Sequence, residues 1–320
     1  MSGALDAVTF GEAMAMFMAC EPGPLHAVST FERGLAGAET NVAVGLARLG
    51  HRSGWIGRVG ADPFGTYALE TLRAEGVDTR AASVDGTAPT GFQLKGLALG
   101  GDPEVRYFRA GSAGSRLAST EDTDEAIASA RHLHLTGIPL ALSASTRAFA
   151  LRALEIARAH GATVSFDPNI RPTLWTSEGE LIDTTNAIAA RADWVLPGRS
   201  EGRLLTGRDS ADGIADFYLG LGASRVAVKD GAAGASLHAA GHRWDHAGFR
   251  VSVVDTVGAG DGFAAGLISA YLDGLDDASA LERASAVGAL ATTHRGDRDG
   301  LPTREQLSAF TAGATLAPAH

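Results

Sequence analysis

The sequence is poor in cysteine and lysine, and each shortage excludes a class of site. Its single cysteine, Cys20, has no partner for an intrachain disulfide, which favours a reducing compartment and predicts a cytoplasmic protein. The only lysines are Lys95 and Lys229, and neither lies in a G-x-x-x-x-G-K-S/T motif, so a Walker A loop is excluded. No run of about 18 apolar residues occurs, so we expect no membrane-spanning helix. The first residues lack the pattern of a secretory signal, so none is expected.

Positive charge is also scarce. The chain has 27 Lys and Arg against 37 Asp and Glu, a net charge of −10. Nucleic-acid binding is not expected, because it requires basic side chains at the phosphates, whereas a few arginines can still bind a small anion. Hydrophobic residues make up 45% of the 320 residues, as in ordinary globular proteins. At about 150 residues per domain, the length fits two domains or one large α/β domain.

Short apolar runs alternate with helical spacings along most of the chain. This alternation predicts an α/β fold with a parallel sheet that is covered by helices on both faces. Strands are predicted at 5–10, 55–60, 132–136, 163–167, 193–197 and 225–229, and helices at 39–49, 62–74, 144–159, 179–190, 211–219, 261–272 and 278–293.

The alternation is interrupted between residues 87 and 112. Two extended runs, 91–99 and 104–109, are joined by the turn-rich stretch 100–103, which is typical of a β-hairpin. Together with residues 14–31, this hairpin predicts a small sheet set apart from the main body.

The most specific motif is D-T-V-G-A-G-D at 255–261. It follows an extended run and precedes an apolar helix, so the backbone N–H groups at 258–261 would form a helix-start anion hole that suits a phosphate. Asp261 would repel an anion, and its presence is understandable if it accepts a proton from an attacking hydroxyl. The alternative is an ordinary helix that is capped by Asp261. A dinucleotide-binding loop is disfavoured, because Phe263 occupies the position of the third glycine.

The motif at 255–261 closely resembles the C-terminal signature of the ribokinase-like (PfkB) carbohydrate kinases. The N-terminal signature is recognisable in G-A-E-T-N-V-A-V at 37–44, followed by L-A-R-L-G at 46–50 and I-G-R-V-G-x-D-x-F-G at 56–65. The resemblance covers essentially the whole chain. It implies an ATP-dependent kinase with a doubly wound, mostly parallel core at 1–12, 35–86 and 113–320, and a small β-sheet lid at 13–34 and 87–112.

The resemblance also implies roles for individual residues. Asp261 matches the catalytic base, and the anion hole matches Gly258, Ala259 and Gly260. The positions implied for ATP binding are Lys229, Gly231, Gly234, Thr256, Gly258 and Gly260. Glu201 ends a motif associated with the metal, although Gly198 stands where the family has asparagine. We expect Mg²⁺ beside the phosphates because the transferred phosphoryl group carries negative charge, and dependence on a monovalent cation stays open.

The substrate is indicated by arginines and by a second resemblance. Tyr107 and Arg109 alternate onto one strand face, and Arg109 with Arg171 could hold a carboxylate. Arg106 alternates away and is expected to be solvated. The runs 107–115, 167–175 and 295–297 resemble the branch that phosphorylates 2-keto-3-deoxygluconate. That branch implies sugar contacts at Gly37, Asn41, Gln93, Tyr107, Arg109, Arg171 and Asp297, although some members have tyrosine at position 93.

The resulting hypothesis is phosphorylation of 2-keto-3-deoxygluconate at its primary hydroxyl, giving the 6-phosphate. Kinases for fructose, ribose or another sugar acid remain alternatives. So does a non-catalytic protein that senses a sugar or nucleotide on the same fold, whereas a dinucleotide-dependent oxidoreductase is disfavoured. The resemblance further implies a homo-oligomer, a dimer formed through the lid.

Overall fold

The computed structural model describes residues 4–97 and 103–313. The strands are β1 (Ala7–Phe10), β2 (Met14–Ala19), β3 (Phe31–Ala36), β4 (Ser53–Ile56), β5 (Arg58–Gly60), β6 (Ser83–Asp85), β7 (Phe92–Lys95), β8 (Val105–Phe108), β9 (His132–Thr136), β10 (Thr163–Asp167), β11 (Trp194–Val195), β12 (Arg225–Lys229), β13 (Ala235–Ala239) and β14 (His242–His246). The helices are α1 (Ala38–Arg48), α2 (Pro63–Ala74), α3 (Glu121–Ala128), α4 (Ile138–Leu142), α5 (Ala144–Ala159), α6 (Glu178–Ala189), α7 (Arg199–Thr206), α8 (Ala211–Gly220), α9 (Ala259–Leu272), α10 (Asp277–Ala291) and α11 (Arg304–Thr311).

The main sheet has eight strands in the order β14-β13-β12-β11-β10-β9-β1-β4. Strands β4 to β12 of this order run parallel, and β13 and β14 form an antiparallel edge. Apolar cores cover both faces, one containing Phe149 of α5 and the other Leu267 of α9. The predicted α/β class, with its mostly parallel and doubly covered sheet, is confirmed.

The predicted strand at 55–60 is wrong, because the chain divides there into β4 and β5. Strand β4 belongs to the main sheet, whereas β5 pairs with β6 in a separate two-stranded sheet. Gly57 lies between them. A Cβ there would come within 2.1 Å of the Trp55 ring and 2.8 Å of the carbonyl oxygen of Gly11, so the chain bends where only glycine fits.

Helix starts and ends follow the local signals where these are strong. Asp62 caps α2 by accepting N–H bonds from Phe64 and Gly65, and Pro63 is its first residue. Helices α3, α4, α7 and α11 were not predicted. None exceeds eight residues, which is too short for a clear helical period. No helix within 4–97 and 103–313 is long and apolar enough to cross a bilayer.

A second, four-stranded sheet has the order β3-β2-β7-β8. Strands β7 and β8 form the predicted antiparallel hairpin, with Gln93 opposite Tyr107, and most of its predicted turn lies outside the described residues. The central pair, β2 and β7, is parallel. Strand β3 continues to Ala36, two residues past the predicted boundary of the lid at 34. The division into core and lid stays a prediction.

The topology places a crevice where the main sheet reverses its winding. From β1 the chain moves to β4 on one side, and it later returns to β9 on the other side. Ligands of doubly wound folds bind at such a switch point, beyond the carboxyl ends of the strands. Glu12, Asp167 and Lys229 lie at or just after the ends of β1, β10 and β12.

Candidate active site

One cavity of about 1480 Å³ lies between the carboxyl ends of the main sheet and the four-stranded sheet. Residues 200 or more positions apart in the sequence meet in it, such as Asn41 and Asp261. The predicted site residues all line this cavity: Gly37, Asn41, Gln93, Tyr107, Arg109, Arg171, Glu201, Lys229, Gly231, Gly234, Thr256, Gly258, Ala259, Gly260, Asp261 and Asp297.

Asp261 is a buried carboxylate in the first turn of α9. Its Oδ2 accepts a hydrogen bond of 2.8 Å from Nδ2 of Asn41, and its Oδ1 lies 3.4 Å from Nδ2 of Asn169. Burial raises the pKa of Asp261 to about 7, and the negative charge of Asp167 acts in the same direction. A carboxylate with a pKa near neutrality is suited to accept a proton from a hydroxyl.

The turn before α9 has a backbone that requires glycine. Gly258 has φ of 87°, and a Cβ on it would lie 2.0 Å from the carbonyl oxygen of Asp297. In the described part of the chain, the N–H groups of Gly258, Gly260 and Asp261 have no protein acceptor. Such N–H groups at a helix start, together with the helix dipole, attract an anion. Asp261 does not cap the helix, since Gly258 is its N-cap, so the alternative of a helix capped by Asp261 is wrong.

Lys229, whose side chain is 16% exposed, brings a cation to this turn. Its Nζ bonds to Asp167 and lies 3.4 Å from the place that a Cβ on Gly260 would take. Burial opposes its charge, but the carboxylates of Asp167 and Glu201 outweigh burial and raise the pKa of Lys229. The side chain is therefore charged beside the candidate phosphate site.

The glycines that follow Lys229 shape the turn between β12 and β13. Gly231 has φ of 55° with open space beside it. Gly234 has φ of 97°, and a Cβ there would lie 1.9 Å from the carbonyl oxygen of His246. The tight turn explains Gly234 without a ligand, and both glycines nevertheless line the cavity.

Glu201 is engaged by the backbone. Its two carboxylate oxygens accept N–H bonds from Ile170 at 2.7 Å and from Gly198 at 2.8 Å. Burial raises its pKa, and the charge of Asp167 adds to this effect. Within residues 4–97 and 103–313, no cluster of three or more His, Cys, Asp or Glu is arranged to hold a metal. Mg²⁺ in phosphate-transfer sites often has only one or two protein carboxylates, and Glu201 and Asp167 both line the cavity.

The two candidate carboxylate-binding arginines differ in their partners. Arg109 is buried, and its Nη2 lies 2.6 Å from Oε2 of Glu12, so its charge is already balanced. Arg171 forms no ion pair of 4 Å or less within the described residues, its Nη1 donates to the carbonyl oxygen of Ile170 at 3.0 Å, and its positive charge acts to lower the pKa of Asp261. The predicted solvation of Arg106 is confirmed, since its side chain is 70% exposed beside Glu104.

Asp297 is also in an ion pair. Its Oδ1 accepts from Nζ of Lys95 at 2.9 Å, and Lys95 bonds to Asp255 as well. All three side chains are at most 10% exposed. Asp297 thus lines the cavity, as expected for a sugar contact. Its carboxylate is at the same time bonded to Lys95 of β7.

Comparison with known proteins agrees with this geometry. The model of the pfkB family of carbohydrate kinases matches residues 4–304. The chain belongs to this family. It is therefore a carbohydrate kinase, as predicted from the signatures at 37–65 and 255–261.

Individual relatives of the kinase cover almost its whole length. It is 52% identical to the 2-dehydro-3-deoxygluconokinase of Bacillus subtilis (strain 168), over 96% of this chain and 95% of the relative. The crystal structure of a PfkB protein from Polaromonas sp. JS666 is 47% identical, with a TM-score of 0.87, and covers 96% of this chain and 100% of that one. A double-mutant fructokinase from Vibrio cholerae O395 in its fructose-, ADP- and potassium-bound form is 30% identical, with a TM-score of 0.85, over 97% and 99%.

The sequence analysis missed several charged or polar residues of the kinase's cavity. Among them are Glu12 and Lys95, while Asp167 and Asn169 were noted in the run 167–175 but given no role. The signal for Asp167 and Asn169 is their place directly at the end of a buried strand, where loops of an α/β sheet carry function. Glu12 and Lys95 have no such signal, because their ion-pair partners lie far away in the sequence.

Proposed function

We propose that this carbohydrate kinase transfers the γ-phosphoryl group of ATP to the primary hydroxyl of 2-keto-3-deoxygluconate, also called 2-dehydro-3-deoxygluconate. The products are the 6-phosphate and ADP. The observation that carries the proposal is Arg171, a cation without an ion pair in the described structure, which lines the cavity that also holds Asp261. A sugar acid supplies the carboxylate that such an arginine can bind in bidentate fashion. The 52% identity to a 2-dehydro-3-deoxygluconokinase supports the same choice.

In the proposed reaction Asp261 is the general base. The hydroxyl oxygen attacks the γ-phosphorus, its proton passes to the Asp261 carboxylate, and the bond to the bridging oxygen breaks so that ADP leaves. The hydrogen bond from Asn41 orients the carboxylate. The N–H groups of Gly258, Gly260 and Asp261 then stabilise the negative charge on the transferred group, aided by Lys229.

The remaining contacts bind the substrates. We assign the sugar to Gly37, Asn41, Gln93, Tyr107, Arg171 and Asp297, with Arg109 held in place by Glu12. ATP is assigned to the glycine turn, Thr256, and the loop with Gly231 and Gly234. Glu201 and Asp167 would hold Mg²⁺, which neutralises phosphate charge when it is bound.

A neutral sugar such as fructose is the second candidate substrate. The Arg109–Glu12 ion pair favours it, because this pair leaves one arginine rather than two for a carboxylate. A Vibrio cholerae structural neighbour is a fructokinase.

The same proposal includes a homodimer formed through the four-stranded sheet. It also places the protein in the cytoplasm, in keeping with a single cysteine.

The test is ADP release with Mg²⁺ and ATP over a panel of 2-keto-3-deoxygluconate, 2-keto-3-deoxygalactonate, gluconate, fructose and ribose. Turnover that is fastest with a keto-deoxy acid is expected, and turnover that is fastest with fructose or ribose contradicts the substrate. Asp261→Asn should abolish turnover and leave ATP binding intact. ADP release by no panel sugar, together with tight sugar binding, would instead favour a non-catalytic sensor.

A further inference from the structure

The four-stranded sheet is joined to the glycine turn by a buried cation. Lys95 ends β7, and its Nζ lies between the carboxylates of Asp255 and Asp297. The Lys95 side chain is 3% exposed. Burial opposes its charge, yet the two carboxylates raise the pKa of Lys95, so the ammonium keeps its charge.

Both partners of Lys95 are built into the turn that begins α9. Oδ1 of Asp255 accepts the N–H of Val257 at 3.1 Å, one residue before Gly258. The carbonyl oxygen of Asp297 packs against Gly258 so closely that a Cβ there would lie 2.0 Å away. Lys95 is therefore connected, through Asp255 and Asp297, to the backbone at 255–258, where the candidate anion hole begins.

The same strand carries a candidate sugar contact. Gln93 and Lys95 alternate onto one face of β7, and both line the cavity. The candidate sugar contact at Gln93 and the contact of Lys95 with the turn are therefore only two positions apart on β7. A second hydrogen bond also joins the four-stranded sheet to this region. Nη2 of Arg295 donates to the carbonyl oxygen of Ala19, at the end of the neighbouring β2, at 2.6 Å.

We propose that Lys95 is a positioning residue that sets the glycine turn for phosphoryl transfer when a sugar is seated against β7. It touches neither substrate in this role. Its ammonium holds Asp255 and Asp297 together, and these two residues fix the backbone of the turn. The proposal rests on the kinase reaction proposed above but does not depend on which sugar is phosphorylated.

The test compares Lys95→Ala with wild type and with Arg106→Ala, a control that removes an exposed cation from the neighbouring strand. A misplacement of reacting groups by about 1 Å can cost about 100-fold in rate, and we expect kcat of Lys95→Ala to fall by about 10- to 100-fold. KM for ATP should change less than kcat, since the loop with Gly231 and Gly234 is untouched and the N–H groups of the turn act mainly on the transferred group in the transition state. Arg106→Ala should match wild type.

Chemical rescue separates positioning from mere stability. Lys95→Ala removes three carbon atoms and the ammonium group, which together correspond to propylammonium. This amine should therefore bind between Asp255 and Asp297 and restore much of kcat in a saturable manner. Tetramethylammonium at equal ionic strength is too large and should have no effect, and wild type should respond to neither. Wild-type turnover by folded Lys95→Ala overturns the proposal. So does a joint loss of activity and melting temperature that propylammonium does not reverse.

A second variant covers the case in which Lys95→Ala does not fold. Asp255→Asn keeps the shape and the acceptor for Val257 and weakens the attraction to Lys95. It should fold and lose more in kcat than in KM for ATP, and an unchanged kcat contradicts the proposal. All variants are assayed with the panel sugar that wild type phosphorylates fastest. A preference for fructose would thus refute the proposed substrate and leave the Lys95 comparison intact.

Discussion

Replacing Asp261 by asparagine should stabilise the protein while it removes activity. The folded protein holds the pKa of this carboxyl at about 7, against 3.8 for an ordinary aspartate, mainly because the group is buried. Between these two values the folded state binds more protons than the unfolded state. Stability contributed by this group therefore falls as the pH rises from about 4 to about 7, and it is lost above that range.

The size of the effect follows from the shift. A difference of about three pKa units corresponds to at most about 4 kcal/mol at 1.36 kcal/mol per unit. Asparagine carries no charge, and its Oδ1 can still accept from Asn41, so Asp261→Asn recovers part of this free energy. We expect about 2 kcal/mol above pH 7, which raises Tm by a few degrees.

Urea unfolding at pH 8, 6 and 5 measures this prediction. The gain in free energy of unfolding should be largest at pH 8 and should shrink as the pH falls. Asp183→Asn is the matched control, because Asp183 is exposed on α6 and its substitution should change little at any pH. A gain for Asp261→Asn that does not exceed the control, or that is the same at pH 8 and pH 5, would refute the reasoning.

Four further predictions concern catalysis. The pH profile of kcat/KM should rise with unit slope up to about pH 7, the pKa of Asp261, and a flat profile between pH 5 and 8 would exclude this base. Asn41→Ala removes a hydrogen bond of about 1.5–3 kcal/mol to the charged carboxylate, so the limb of the same profile should move up by about one pH unit or more. Arg171→Ala should raise KM for a keto-deoxy acid by about 10-fold or more and should leave KM for fructose nearly unchanged, and equal effects on both sugars would show that Arg171 does not bind the carboxylate. Gly258→Ala should lose most turnover in a steady-state assay because its Cβ would lie 2.0 Å from a carbonyl oxygen, and a fully active variant would contradict the role of the turn.

The sequence was sufficient for features that depend on local chemistry. Asp62 and Pro63 start α2 as predicted, because the cap and the ring act on their own neighbours. The motif at 255–261 likewise lies at the start of α9, although the helix begins at Ala259, two residues earlier than predicted. Glycine at 258 carries this information, since the turn needs its positive φ.

The sequence was insufficient where a side chain is defined by a distant partner. Arg109 stays a predicted contact of the substrate carboxylate, and nothing in the sequence showed that Glu12, 97 residues away, is its ion-pair partner. Lys95 and Asp297 are 202 residues apart, and no periodicity connects them. The division of 55–60 into β4 and β5 has the same origin, because Gly57 bends against the backbone of Gly11, which belongs to another part of the chain.

Four cations near the candidate sugar and phosphate sites divide into two groups, which should affect catalysis and substrate selectivity differently. Lys95, Lys229 and Arg109 lie against carboxylates with little exposure to solvent, and removing one partner of such a pair leaves the other charge uncompensated. Substitution of any of them should therefore lower activity with every substrate. Arg171 forms no ion pair within the described residues, although its charge acts on Asp261, and it lines the cavity where a ligand carboxylate could bind. Selectivity for a sugar acid should therefore reside mainly at Arg171, whereas the rate of phosphoryl transfer should depend on the paired cations.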